Sequence, residues 1–178
     1  MDFDRLTRRL GNSTLPPSVL LCKAHFPNDF CKAAAALNDP RYLNFYYYLG
    51  MELGEVRVCE PTFTHGLQGA CFLQGCATTV EYLGLSGDFN QFADKTIREV
   101  YGGDFQIEKV TDRDNWDVVL ITEEGGDFEF WWERLRPGGL LVVDYIDSGN
   151  KSFSTFCKVR NREPKRFDTR YGTNILVR

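Results

Sequence analysis

Leu135-Arg136-Pro137-Gly138-Gly139-Leu140-Leu141-Val142-Val143-Asp144 decides the fold class of this chain. A Pro-Gly-Gly turn closes an amphipathic stretch and leads into four consecutive apolar residues, a run that ends in a carboxylate. A strand apolar at successive positions is buried on both faces, the mark of a parallel sheet between helices. Ligands of such sheets sit at the carboxyl ends of the strands, so Asp144 stands where chemistry is expected.

The same alternation extends in both directions. Just upstream, Asp127 caps a short helix with Phe128, Trp131, Trp132 and Leu135 on one face. Strands are expected at Val56–Glu60, Thr79–Leu85, Phe105–Val110, Trp116–Ile121 and Leu140–Ile146. Between them, Gly66 to Cys76 reads as a helix, and Asp88 caps another with Phe89, Phe92, Thr96, Ile97 and Val100 as its stripe, ended by Gly102-Gly103. Phe153, Phe156, Cys157 and Arg160 suit one more helix. Lys165–Thr169 and Thr173–Val177 flank Arg170-Tyr171-Gly172 as a hairpin. Before the first strand, Asn28 or Asp29 caps a helix to about Leu37, and a second helix aligns Tyr42, Phe45, Tyr46, Leu49 and Leu53. Residues 1–26 carry no clear pattern, and Pro16-Pro17 breaks any helix there. Strands alternating with helices five times predict an α/β fold. The expectation is a three-layer αβα sandwich with a mostly parallel seven-stranded sheet, a C-terminal antiparallel hairpin and an N-terminal helical cap. At 178 residues the chain reads as one domain, with the cap over 1–54 and the core over 55–178.

Composition is that of an ordinary globular protein. The net charge of −4 is unevenly spread: the segment from Lys151 onward carries eight Lys/Arg and two Asp/Glu, a net of +6, which leaves −10 on the rest. Such polarity steers anionic ligands, or is a solvated basic surface. Six cysteines (Cys22, Cys31, Cys59, Cys71, Cys76 and Cys157) show no C-x-x-C pair and no metal-ligand rhythm. They read as reduced thiols of a cytoplasmic protein. The charged Met1–Leu10 stretch has no signal-peptide pattern, and no apolar run is long enough to span a membrane.

Four stretches resemble the class I S-adenosylmethionine-dependent methyltransferases, which have a Rossmann-like core. Val58-Cys59-Glu60-Pro61-Thr62-Phe63-Thr64-His65-Gly66 stands where that family has a strand, an acid and a glycine-rich loop. Leu83-Gly84-Leu85-Ser86 ends strand two. Trp116-Asp117-Val118-Val119-Leu120-Ile121 is similar to the family's fourth strand. Leu135 to Leu141 closely matches the family's L-k-P-G-G-l-l. The small-molecule O-methyltransferase branch is the nearest. The resemblance implies S-adenosylmethionine as cofactor and a small-molecule substrate methylated at oxygen.

By the same resemblance Glu60, Thr62, Thr64 and Gly66 hold the cofactor's amino-acid end, where glycines normally permit a sharp turn beside a helix N-terminus. Thr62 and Thr64 replace two of those glycines, which weakens the loop. Ser86 or Asp88 meets the ribose, and Asp112 the adenine amino group. Asp144 and Glu123 are the expected catalytic carboxylates, and His65 is a candidate base. Glu123, Asp144 and Asp147 together form a candidate site for a divalent metal such as magnesium.

Two rival readings remain. A non-catalytic methyltransferase-like binding or scaffold domain fits the altered cofactor motifs. A dinucleotide oxidoreductase is a poorer match, since Pro61-Thr62-Phe63 separates the strand from the degenerate Thr64-His65-Gly66-Leu67-Gln68-Gly69 and no acid closes strand two. A nucleic-acid substrate is not expected: the chain has no Asn/Asp-Pro-Pro-Tyr motif, its charge is acidic overall, and its sheet edge carries charges without the interleaved aromatics of a single-strand platform.

Overall fold

The structure, a computed structural model, describes residues 1–11, 40–61, 67–76, 81–85, 105–108, 113–121, 126–144, 151–169 and 171–178. The chain forms two compact units. One comprises Met1–Glu55, Thr64–Val80 and Asp88–Phe105; the other comprises Val56–Phe63, Glu81–Gly87 and Gln106–Arg178. The helix expected up to Leu37 and the one capped by Asp88 lie outside the described residues. Among the described residues no helix is long and apolar enough to cross a membrane.

The first unit contains α1 (Phe3–Gly11), α2 (Pro40–Leu53) and α3 (Leu67–Gly75). Helix α1 falls in the stretch that sequence patterning leaves unread. It starts because the Asp2 carboxylate accepts from the Arg5 amide at 2.9 Å. Its two buried residues, Leu6 and Leu10, lie one turn apart. Arg5 and Arg9 both reach Glu52 of α2, at 3.1 and 3.4 Å, and Arg9 also lies over the Tyr48 ring. The stripe expected on α2 is buried at Tyr42, Phe45, Tyr46 and Leu49, with Tyr42–Tyr46 and Phe45–Tyr46 meeting edge to face.

Helices α2 and α3 touch backbone to backbone, and two glycines permit it. A Cβ on Gly75 would fall on the Tyr47 carbonyl oxygen, and one on Gly50 on the Phe72 carbonyl oxygen. Cys76, just past α3, donates its thiol to the Gly50 carbonyl at 3.7 Å. Burial pushes that thiol up to about 12.

The second unit is a sheet of seven strands: β1 (Arg57–Glu60), β2 (Glu81–Leu85), β3 (Phe105–Glu108), β4 (Trp116–Ile121), β5 (Leu135–Val143), β6 (Lys165–Arg166) and β7 (Asn174–Val177). Their order is β3-β2-β1-β4-β5-β7-β6. Strands β2, β1, β4 and β5 run parallel, and β7 pairs antiparallel with both β5 and β6. Among the described residues the unit also contains helices α4 (Phe128–Arg134) and α5 (Lys151–Val159). Asp127 caps α4 as the sequence implies, its Oδ1 accepting from the Phe130 amide at 3.0 Å. Phe128, Trp131, Trp132, Phe153, Phe156 and Cys157 of these helices form one cluster with Cys59, Val119, Ile121, Leu141, Val143 and Leu176 of the sheet. The alternate residues Val58, Val118, Leu120, Leu140, Val142 and Ile175 are buried as well. Both faces of the central strands are therefore out of water, as the apolar run predicts.

The Pro-Gly-Gly segment corrects one expectation. It does not precede strand five but sits inside it, and the strand ends at Val143 rather than Ile146. Leu135 already pairs with Trp116, and pairing resumes at Val118 with Leu140. One residue of β4 thus faces four of β5, which bulge out. Gly138 takes φ +78°, open to glycine at no steric cost. A Cβ on Gly139 would lie 2.9 Å from the Arg136 carbonyl oxygen and 3.0 Å from that of Trp116. Asp117 braces the bulge: one carboxylate oxygen accepts from the Arg57 amide at 2.7 Å, and the other pairs with Arg136. The C-terminal residue closes it, since Gly138 N–H donates to the Arg178 carbonyl at 3.0 Å and Arg178 N–H to that of Gly139 at 2.9 Å.

Gly75→Ala is expected to cost roughly 3 kcal/mol, because the helices must separate to admit the methyl. Gly11→Ala, whose Cβ meets nothing within 4 Å, should be close to neutral; denaturant titration compares the two. Cys76 and Cys157, pushed by burial to about 12 and about 11, are expected to resist alkylation in the folded protein and to react once it unfolds. Their raised values also set a sign. The thiols favour the folded state fully below 9.0, their ordinary value, and lose that contribution as pH rises toward about 11 to 12. Site-resolved mass spectrometry and alkaline unfolding curves check both statements.

Candidate functional site

Two of the expected site residues are described, Glu60 and Asp144, and both are fully buried. Both belong to the sheet unit and stand at the carboxyl ends of parallel strands. Glu60 is the last residue of β1, and its partner in β2 is Gly84. Asp144 directly follows β5, its amide donating to the Ile121 carbonyl at the end of β4 at 2.9 Å. Strand β4 separates the two acids by two strand spacings, and the register levels Glu60 with Val142, so Asp144 stands two residues further along; the backbones lie about 12 Å apart. Strand alternation puts Glu60 on the face of Val58, and Asp144 on that of Val142. The pairings of Val58 with Val118 and of Val118 with Leu140 make this one face. It is the face opposite the aromatic cluster.

A buried carboxylate is costly unless hydrogen bonds compensate it. For Asp144 the compensation comes from the hairpin. Thr173 Oγ1 donates to Asp144 Oδ1 at 2.6 Å, a short hydrogen bond. The Thr169 and Thr173 hydroxyls lie 2.8 Å apart, and the Thr173 amide donates to Thr169 Oγ1 at 3.0 Å. An ionised carboxylate only accepts. The Thr173 proton is therefore committed to Asp144, and the Thr169 hydroxyl must donate to Thr173. Asn174, also buried, holds the Gly172 carbonyl at 2.7 Å and keeps the turn closed. Gly172 itself has φ +63°. The register Val143↔Asn174 puts Thr173 directly across from Asp144.

Sequence reasoning identified the hairpin but not this network. The available signal was Thr169 and Thr173 bracketing Arg170-Tyr171-Gly172, at a spacing that only strand pairing brings together. Asp117 was likewise seen as part of a motif but not as the brace between β1 and the bulge. Glu123, Asp147, His65, Thr62, Thr64, Gly66, Ser86, Asp88 and Asp112 lie outside the described residues. Of the three acids expected to converge on a metal, Asp144 alone is described, and its Oδ1 is held by a hydroxyl donor. Among the described residues no group of three His, Cys, Asp or Glu is placed to hold an ion, so the metal centre is not built by them.

An antiparallel β7 inserted between β5 and β6, beside parallel strands ordered β2-β1-β4-β5, narrows the fold sharply. Solved structures with the same architecture settle it. A SAH-bound methyltransferase from Podospora anserina superposes with a TM-score of 0.70 at 11% identity, covering 98% of this chain and 94% of that one. The fold is that of the class I S-adenosylmethionine-dependent methyltransferases. An O-methyltransferase from Bacillus cereus in complex with SAH gives 0.67 at 14% identity, covering 97% and 96%. A SAM-dependent O-methyltransferase from Thermotoga maritima gives 0.59 at 13%; the match covers 78% of this chain but spans only 64% of that protein's length. A ribosomal protein L11 methylase and a tRNA methyltransferase share the fold too. No protein-family model matches the sequence, and no curated protein sequence matches it.

Glu60 is acceptor-only when ionised and suits a ligand that offers hydroxyl or ammonium hydrogens. Thr173→Val is expected to destabilise the protein by roughly 1.5–3 kcal/mol, since it removes a hydrogen bond to a buried charge. Thr173→Ser, which keeps the hydroxyl, should recover most of that loss in the same urea titration.

Proposed function

We propose that this protein is an S-adenosylmethionine-dependent methyltransferase that methylates a small molecule at oxygen. The observation that carries the reading is Glu60, a fully buried carboxylate closing β1 in a sheet of this fold. SAH-bound neighbours over nearly the whole chain support the cofactor, and two O-methyltransferases among the similar structures support oxygen as the target. Burial of both faces of the central strands supports the three-layer sandwich, with the sheet as its middle layer.

In this reading Glu60, Thr62, Thr64 and Gly66 hold the cofactor's amino-acid end, Ser86 and Asp88 the ribose, and Asp112 the adenine. The bound cofactor supplies an electrophilic methyl group on a sulfonium. Asp144 and Glu123 act on the acceptor side, one of them orienting or deprotonating its hydroxyl, with His65 as the alternative base. Asp144 is suited to orienting because the Thr173 hydroxyl already fixes its carboxylate. Holding nucleophile and methyl group in line supplies much of the rate. A second reading, a methyltransferase-like domain that binds the cofactor or a related ligand without catalysis, is favoured by Thr62 and Thr64 at two glycine positions of the loop.

Thermal unfolding with S-adenosylmethionine or SAH tests the reading. Ligand at about 100 times its dissociation constant adds about 2.7 kcal/mol, a rise of roughly 5–10 °C for a chain of this size. Glu60→Gln should lose at least about tenfold in SAH affinity by calorimetry, the worth of one charge-assisted bond. No shift with either compound at millimolar concentration, or a shift with NAD instead, overturns the assignment. SAH binding without methyl transfer to any hydroxylated acceptor supports the second reading.

A further inference from the structure

The basic C-terminal segment has an organisation that methyl transfer to a small molecule does not call on. Residues 151–166 contain six Lys/Arg and one acid, Glu163. The structure sorts these cations into two groups. Arg160 is half-buried and bound to Glu129 and Glu133 of α4, and Arg178, from the chain end, also reaches Glu133. These two tie α5 and β7 to α4. Lys151, Lys158, Arg162, Lys165 and Arg166 are exposed. The α4 glutamates that neutralise their neighbours are already engaged.

Helix α5 shows the pattern most clearly. Its apolar residues Phe153, Phe156 and Cys157 are spent on the core. Its exposed residues are Lys151, Ser152, Ser154, Thr155, Lys158 and Val159. The helix has no acid at all, so its outer face carries ammonium and hydroxyl donors. Lys151 and Lys158 lie two turns apart on one side, about 10 Å along the axis. Past the helix, the Arg162 amide bonds back to the Cys157 carbonyl at 3.0 Å, which holds the turn against the helix end. The edge strand β6 then presents Lys165 and Arg166, both exposed. Helix, turn and edge strand each present exposed cations, with the exposed Glu163 as the one acid among them.

We propose that this face docks the phosphate backbone of RNA. Charge complementarity carries the choice of a polyanion. Val159 is the one exposed apolar residue on α5, whereas an interfacial membrane helix needs an apolar face to insert and a protein interface needs an apolar or aromatic centre. A phosphate backbone needs neither. Contacts of this kind position a nucleic acid without reading its sequence. The chain before Lys151 carries net −10, so the positive charge is concentrated toward this end. The proposal does not rest on methyl transfer, and its test needs no cofactor.

Fluorescence anisotropy of a labelled single-stranded RNA of mixed sequence, read against salt, decides it. Saturable binding is expected at low salt. With about four phosphate contacts, affinity should fall about fifty-fold between 50 and 200 mM salt. Lys158→Glu/Arg162→Glu/Lys165→Glu should lose most of the binding while keeping the circular dichroism spectrum and thermal midpoint of the parent. Should the triple reversal fail to fold, Arg162→Glu alone replaces it, compared with Arg8→Glu at an exposed site of α1. The first should weaken binding and the second leave it unchanged. No binding at about 50 mM salt, no salt dependence between about 50 and 200 mM, or equal effects of Arg162→Glu and Arg8→Glu overturns the proposal. Binding to phosphatidylserine vesicles in the absence of RNA binding also overturns it and assigns the face to a membrane surface.

Discussion

The register between β4 and β5 is the constraint on which the sheet unit depends, and the close approach of Gly139 to the β4 backbone sets it. With three oxygens of Arg136, Trp116 and Asp117 within 3.2 Å of where a Cβ would be, any other residue would force the bulge and β4 to shift apart. Four residues are absorbed there opposite Asp117. Beyond it Leu140 to Val143 run in step with Val118 to Ile121. In a parallel sheet a slip of one residue would turn every side chain to the other face. The bulge at the amino end thus determines which residue emerges at the carboxyl end, and that residue is Asp144.

The same joint collects the outer strands. Arg178 bonds the bulge through its backbone and reaches the Glu133 carbonyl with its guanidinium at 2.9 Å. That anchors β7 at one end; Thr173 against Asp144 anchors it at the other. On the opposite flank Asp117 takes the Arg57 amide, and Arg57 lies over the Trp116 ring. One carboxylate therefore joins β1, β4 and the bulge, although it stands far from the end of the sheet where the candidate site lies. Asp117 serves architecture and Asp144 stands at the site, yet both are acids flanking apolar strands and look alike in the sequence.

Legibility followed the range of the interactions. Strand β4 was read to the residue, because a continuous apolar run is a local signal. The Asp127 cap was read as well, since capping spans three residues. Helix α1 escaped notice: its two apolar contacts per nine residues make sense only against Glu52 and Tyr48 of α2. Gly50 and Gly75 look like weak points of their helices until the helices are seen to touch. The start of β5 was misplaced because a turn sequence inside a strand is indistinguishable from a turn before it. The Thr169–Thr173–Asp144 relay required strand pairing across 29 residues of chain.

The sequence by itself determined the alternation of strands and helices, the doubly buried central strand and the carboxylate at its end, because these follow from local hydrophobic period and from residues whose backbone freedom is special. Only the tertiary structure decided what each acid touches. Burial turned Asp144 from an open carboxylate into one locked to a hydroxyl pair, made Asp117 a brace, and split the C-terminal cations into half-buried and exposed. Those outcomes depend on which strands lie side by side, and pairing is set by long-range contacts that no window along the chain contains.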